Sequence, residues 1–252
     1  MTMIGRLGAI LVVGALLALS ACQTRSISNS GYQGGGGWGR PSAGNPFYAG
    51  ELSPYDVLGL DPTRGASDAE IQAALTEIRQ PLAIKRGSAL MVVQSGAVFP
   101  DPEMTRELER YYSVSSFTGV PARAAPVAAG SPPVAYAQLF RLAAAKGGFE
   151  TIIVYWGILE SASKDLGSKG VSWLPVIGGI IPDQSQYMRI RLMMAVIDTR
   201  TGHWESFTTE PFDTESISSQ HGRAANDQEQ VALLKAKAYH AAADMLVARY
   251  GR

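Results

Sequence analysis

The first apolar stretch, Leu7 to Leu19, carries no charge, and the chain from Gln23 to Gly50 is then polar and glycine-rich. Beyond it the apolar positions fall into periodic groups. Ile71, Ala74, Leu75 and Ile78 recur at intervals of three and four after Ser67 and Glu70, whose spacing is that of a capping box; this predicts a helix stopped by Pro81. Ser88–Val98 reads as a buried strand centred on Leu90-Met91-Val92-Val93. Asp101 and Pro102 suit the cap and first turn of a short helix to about Tyr112, with Met104, Leu108 and Tyr111 on its apolar face. Phe117–Pro133, with prolines at 121, 126, 132 and 133, reads as a connection.

The second half of the chain alternates in the same way. Val134–Lys146 predicts a helix whose face is Leu139, Leu142 and Ala143, stopped by Gly147-Gly148. Thr151–Leu159 is apolar nearly throughout, as a strand covered on both faces would be. In Tyr187–Asp198, Arg189 and Arg191 alternate with Met188, Ile190 and Leu192, giving one wet face near the start. Thr199–Gly202 predicts a hairpin turn, with His203–Pro211 returning. Asn226 and Glu229 repeat the capping-box spacing before a last helix to about Arg249, striped by Val231, Leu234, Ala238, Ala241 and Met245. Helices and strands intermix and one strand pair is a hairpin, so the expected fold is α+β (mixed α/β): a single sheet with helices packed on one or both faces.

The leading segment changes the picture most. Arg6 precedes an apolar run too short to span a bilayer as a permanent helix, which is the layout of a signal peptide. Leu19-Ser20-Ala21-Cys22 resembles a bacterial lipobox. The resemblance implies that residues 1–21 are removed, that the Cys22 thiol takes a diacylglycerol, and that the new amine is acylated. Acyl chains contribute about 0.8 kcal/mol per buried methylene, so several of them anchor durably. The alternative is ordinary cleavage after Ala21, leaving a free cysteine. Gln23 is not an acidic retention signal, so resemblance to Gram-negative lipoproteins implies the outer membrane, with the rest of the chain facing the periplasm. Residues 22–50 then form the lipidated cysteine and a flexible linker, rich in Ser, Gly, Asn and Gln, with a mean reach of roughly 30 Å. Trp38, Phe47 and Tyr48 interrupt it as incidental aromatics. Residues 51–252 form the domain, about 200 residues and large enough for its own core.

Composition narrows the function classes. Of 252 residues 46% are hydrophobic and only 17% charged, with 22 basic and 22 acidic side chains. Removal of residues 1–21 takes Arg6 away and leaves one net negative charge. Such a chain lacks the field that holds a polyanion, and nucleic acid is not an expected partner. A single cysteine forms no intrachain disulfide and no Cys-rich zinc site.

The block from Leu139 to Glu205 carries a second resemblance. An alanine-rich helix end and glycines (Leu142–Gly148) lead to the strand Ile152–Gly157. After an insert, Arg189–Ile197 runs into Asp198-Thr199-Arg200-Thr201-Gly202 and returns through His203-Trp204-Glu205. This order resembles the domain shared by the TolB amino-terminal region and the curli-secretion lipoprotein CsgG, and implies their fold and a role in envelope assembly rather than catalysis. The turn residues have their own physical reading: Asp198 and Thr199 hydrogen-bond the turn and Gly202 supplies a positive φ.

Candidate chemistry is sparse. The histidines are His203, His221 and His240, with no His-Glu-x-x-His pattern. His203 and Glu205 share one strand face, near Asp198 across the turn and with His221 as a further ligand, and they are the only residues that suggest a metal. Gly-x-Ser-x-Gly is absent, and Ser95-Gly96 after a strand does not replace it. Glu150 and Glu160 flank one strand as a conceivable acid–base pair. No phosphate loop follows Gly34–Gly37, and no cofactor is expected. The insert at 164–184 is apolar but broken by glycine and proline. Trp173, Leu174, Val176, Ile177, Ile180 and Ile181 in it are candidate partner-contact residues, unless the loop folds back over the core.

The sequence therefore points to a non-enzymatic, lipid-anchored envelope protein. Its domain is expected to bind another envelope component or copies of itself, serving assembly or secretion. The alternatives are a lipid-anchored, peptidase-like hydrolase with an atypical metal site at His203 and Glu205, and a CsgG-like secretion-channel subunit.

Overall fold

A computed structural model describes residues 25–30, 45, 48–77, 81–121, 135–163, 172–175, 186–216 and 223–252. It shows an α+β domain built on one mixed sheet of eight strands among the described residues. The strands are β1 (Arg25–Ser26), β2 (Ala89–Gln94), β3 (Ser113–Phe117), β4 (Thr151–Ser163), β5 (Ser172–Pro175), β6 (Gln186–Asp198), β7 (Trp204–Thr208) and β8 (Phe212–Ser216). The helices are α1 (Pro54–Leu58), α2 (Asp68–Thr76), α3 (Pro102–Glu109), α4 (Tyr136–Gly147) and α5 (Arg223–Tyr250).

The centre is an antiparallel ribbon. β4 and β6 pair along their whole length, from Thr151 opposite Asp198 to Ser163 opposite Gln186. The outer edge of β4 is shared in succession. β2 pairs in parallel with residues 151–155, β1 pairs antiparallel at Ile158 and Leu159, and β5 takes residues 160–163. The outer edge of β6 is divided between β8 at residues 186–190 and β7 at 193–197. β3 adds a parallel edge strand to β2. Because side chains alternate across a strand, the ribbon separates two cores. On one face Ile153, Tyr155, Leu159, Ile190 and Leu192 meet Met104 and Leu108 of α3 and Leu234, Tyr239, Ala242 and Leu246 of α5. On the other, Ile152, Val154, Trp156 and Ile197 meet Val57 of α1 and Phe140 and Ala144 of α4. Burial on both faces explains the unbroken apolar run at the start of β4.

Several expectations change. β3 falls where the sequence predicted no element: its Ser-Val-Ser-Ser-Phe sequence is largely polar, and among the described residues it pairs with β2 alone. The capping box at Ser67 and Glu70 forms, and its hydrogen bonds hold the Glu70 carboxyl down to about 2, the Ser67 backbone contributing most. Yet α2 buries nothing, and Leu75 is 70% exposed. Helix periodicity there reports the helix and not a core face. In α4 the buried residues are Phe140 and Ala144, while Leu139 and Leu142 are half exposed. The larger aromatic takes the inward row, where it meets Phe117 edge-on. α5 starts at Arg223, so Asn226 lies inside its first turns rather than at its cap. Its buried row is Val231, Leu234, Ala238, Ala242 and Leu246, with Ala241 and Met245 beside it. In the hairpin, the Asp198 carboxylate bonds the amide and hydroxyl of Thr201, and Gly202 has φ +76°. Thr199 contributes its amide, to the Glu150 carbonyl, while its hydroxyl is buried without a partner.

Substitutions separate the two kinds of apolar helix position. Leu246→Ala removes a fully buried side chain and lowers stability by about 2–5 kcal/mol, whereas Leu75→Ser stays within about 0.5 kcal/mol, both read by urea denaturation.

Candidate functional site

The most elaborate side-chain constellation holds the start of the described chain. Residues 25–30 fall inside the segment expected to be a flexible tether, and that expectation fails for them. Arg25 and Ser26 add a two-residue strand to the edge of β4. The chain then turns through the 3-10 stretch Ile27–Asn29, where the Ser26 hydroxyl accepts from the Ser28 amide at 3.0 Å. This turn drives Ile27 into the core at 1% exposure. Gly157 makes room for it: a Cβ there would lie 2.5 Å from the Ile27 side chain. Any larger residue at 157 displaces Ile27.

Polar groups lock the turn from three sides. Ser28 Oγ donates to the Ser95 carbonyl at 2.5 Å and accepts from Gln94 Nε2 at 3.0 Å. Gln94 Oε1 in turn accepts from the Tyr155 hydroxyl at 2.5 Å and the Asp101 amide at 2.6 Å. From α5, Lys235 Nζ donates to the Ile27 carbonyl at 3.0 Å and to Asp101 Oδ2 at 2.9 Å, where the Tyr239 hydroxyl also donates at 2.5 Å. Asp101 sits at the cap position of α3, but its carboxylate faces Lys235 and Tyr239 and makes no cap bond. Burial pushes the Tyr155 and Tyr239 phenols well up, so both remain neutral donors. Ser95 Oγ is fully buried between the amide and carbonyl of Leu52, and Trp156 Nε1 donates to that same carbonyl at 2.7 Å. Asn45 reaches the turn through Asn29 Oδ1 and the Ser28 carbonyl.

A further contact is between Ser26 Oγ, which donates, and Glu51 Oε1. Burial raises the Glu51 carboxyl above its ordinary range, only partly offset by Ser26. Burial, followed by Glu51, likewise raises Tyr48. The hydroxyls, amide and ion pair of this set are thus committed to holding backbone. Ser95, the one serine with a faint nucleophile signature, is spent on Leu52.

The other sequence candidates are dispersed. His203 precedes β7, its amide on Thr201 Oγ1. Glu205 hydrogen-bonds Tyr250, whose hydroxyl it helps raise after burial. His240 contacts Glu107 and Asp244 on the exposed flank of α5. Among the described residues no three His, Cys, Asp or Glu side chains gather as a metal site. Glu150 and Glu160 stand ten residues apart along the strand, roughly 33 Å, so they do not form an acid–base pair. Glu160 instead binds Arg189 at 2.5 Å and Arg191 at 3.2 Å. Trp173 and Leu174 lie in β5, opposite Ala162 and Ser161. Cys22, Val176, Ile177, Ile180, Ile181 and His221 lie outside the described residues. A cleft between α4 and the hairpin, lined by Val57, Gly59, Arg141, Ile197 and Trp204, measures about 190 Å³, small against the roughly 300 Å³ at which ligand pockets begin.

The YafT bacterial lipoprotein family model matches residues 53–249. The chain belongs to the YafT bacterial lipoprotein family. The chain is therefore a membrane-anchored bacterial lipoprotein, and no helix among the described residues is long and apolar enough to cross a membrane. The match begins at residue 53 and spans the helices and most of the sheet, but not residues 25–30. Comparison with curated protein sequences finds no match. Solved structures give distant similarities. A neuraminyllactose-binding hemagglutinin homolog from Helicobacter pylori is 12% identical with TM-score 0.30, over 68% of this chain and 89% of that one. Lipoprotein GNA1162 from Neisseria meningitidis is 13% identical with TM-score 0.26, over 60% and 99%. A PelC dodecamer from Paraburkholderia phytofirmans is 13% identical with TM-score 0.24, over 65% and 95%. At these scores the similarities carry no functional argument.

Two substitutions probe the clasp. Lys235→Met leaves the Asp101 carboxylate without its cation and lowers stability by about 3 kcal/mol, measured by thermal or urea unfolding. Glu51 has a raised folded pKa, so its contribution is complete below the ordinary carboxyl range and is lost as pH rises through the folded value. Protection of the Ile27 and Ser28 amides from hydrogen exchange, referred to the core strands, falls from pH 4 to pH 7 in the native chain. It stays level in Glu51→Gln.

Proposed function

We propose that this lipoprotein is a non-enzymatic envelope protein of the outer membrane, held by lipid on Cys22, whose periplasm-facing domain binds another envelope component or copies of itself. The observation that carries the reading is the clasp: buried donors and acceptors that elsewhere build active sites are here committed to fixing the chain close to the anchoring cysteine. Family membership supports the anchor, and the lipobox-like Leu19-Ser20-Ala21-Cys22 supports its position. The TolB/CsgG-like reading belongs to this proposal, supported by the hairpin of β6 and β7 preceding the final helix.

The contact surface in this reading is the stretch Trp173–Ile181, with Trp173, Leu174, Val176, Ile177, Ile180 and Ile181 as its apolar residues. β5 starts this stretch on the edge of β4, which supports a position at the sheet margin. The test is crosslinking in intact cells. The double substitution Trp173→Ser and Ile177→Ser is expected to reduce the captured partner or the self-crosslinked species several-fold while the melting temperature stays within a few degrees. A large fall in melting temperature marks the stretch as core and overturns its contact role.

A further inference from the structure

The cleft between α4 and the hairpin of β6 and β7 holds a cation that no carboxylate neutralises among the described residues. Arg141 reaches from α4 to the turn. Its Nε donates to the Thr199 carbonyl at 2.9 Å and its Nη2 to the Arg200 carbonyl at 2.6 Å. Both acceptors are neutral. The acid of the turn, Asp198, is taken up instead by the amide and hydroxyl of Thr201. Nε and Nη2 form the side-on fork of a guanidinium. The end-on fork, Nη1 with the second N–H of Nη2, keeps its donors, and its planar spacing matches a carboxylate. Gly202 preserves that fork: a Cβ there would lie 2.8 Å from Nη1. The Gln138 amide and the Trp204 indole N–H line the same cleft, and neither has a hydrogen-bond partner among the described residues. Val57 and Ile197 supply its buried apolar lining.

We propose that this cleft binds a single carboxylate group, held end-on by Arg141, with the Gln138 amide and the Trp204 indole N–H as supplementary donors. The volume of about 190 Å³ that excludes a larger ligand leaves room for a small acid or one terminal residue. A free small acid and the carboxyl terminus of a peptide share this chemistry. The site is separate from the stretch Trp173–Ile181 and from lipid on Cys22, and it stands whether or not those readings hold.

The test follows the nitrogen–proton NMR signal of the Trp204 indole in the full chain in detergent micelles, at constant ionic strength in chloride. Trp204→Phe identifies the signal. Acetate and N-acetyl-trialanine are titrated in turn, each beside its uncharged amide. The carboxylates are expected to move the signal saturably in the millimolar range, and each amide to bind at least about tenfold more weakly, as the loss of one charge-assisted hydrogen bond implies. Tighter binding of the peptide assigns the site to peptide carboxyl termini, and equal or tighter binding of acetate assigns it to small free acids. Arg141→Gln is expected to weaken carboxylate binding by about tenfold or more. A carboxylate that binds no better than its amide, no saturable shift with either carboxylate, or undiminished binding in Arg141→Gln overturns the proposal. Arg141 also ties the hairpin to α4. If its substitution loosens the turn, seen as a fall in melting temperature, the comparison of carboxylate with amide on the unsubstituted chain decides alone.

Discussion

The antiparallel pairing of β4 with β6 is the constraint from which the rest of the structure follows. Two thirteen-residue strands locked in one register place Ile153, Tyr155 and Leu159 on one face and Ile152, Val154 and Trp156 on the other. A slip of one residue would exchange these sets and empty both cores. The same length creates edges too long for one partner. β2 covers only residues 151–155 of β4, and β5 begins at 160. The chain fills the interval at 158–159 with its own first described strand, which closes an edge that would otherwise offer backbone groups to another chain.

That filling is specific because apolar and polar constraints coincide there. Gly157 leaves a space the size of Ile27, and the turn that delivers Ile27 turns its carbonyls and hydroxyls toward Lys235, Gln94 and Ser95. A buried polar network that is only half satisfied is worse than an apolar core, so the segment docks with every one of these bonds or not at all. Residues 25–30 are in this way part of the body of the domain and not of a loose arm leading to it.

The fold was largely legible because its strongest signals are local. The double-sided run of β4, the arginine alternation of β6, the Asp198–Gly202 turn and the stripe of α5 each follow from periodicity or turn chemistry. What escaped is non-local. β3 is a strand only because β2 lies beside it. The inward row of α4 was decided by Phe140 meeting Phe117, which spacing alone does not reveal. The clasp was hidden for the same reason. Ser26-Ile27-Ser28 shows one apolar residue in a polar, glycine-rich stretch, and nothing local announces that Gly157, Gln94 and Lys235 converge on it. One signal was present: Gln94 and Ser95 end the apolar run of β2 with polar residues that had to find partners when buried.

The bond between Lys235 and the Ile27 carbonyl joins groups 208 positions apart. Contacts of such separation close late, because chain entropy opposes bringing distant segments together before the intervening structure has formed. Lys235 reaches that carbonyl only once α5 lies on the sheet, so the turn at Ile27–Asn29 is completed after the α5-covered face of the core rather than before it.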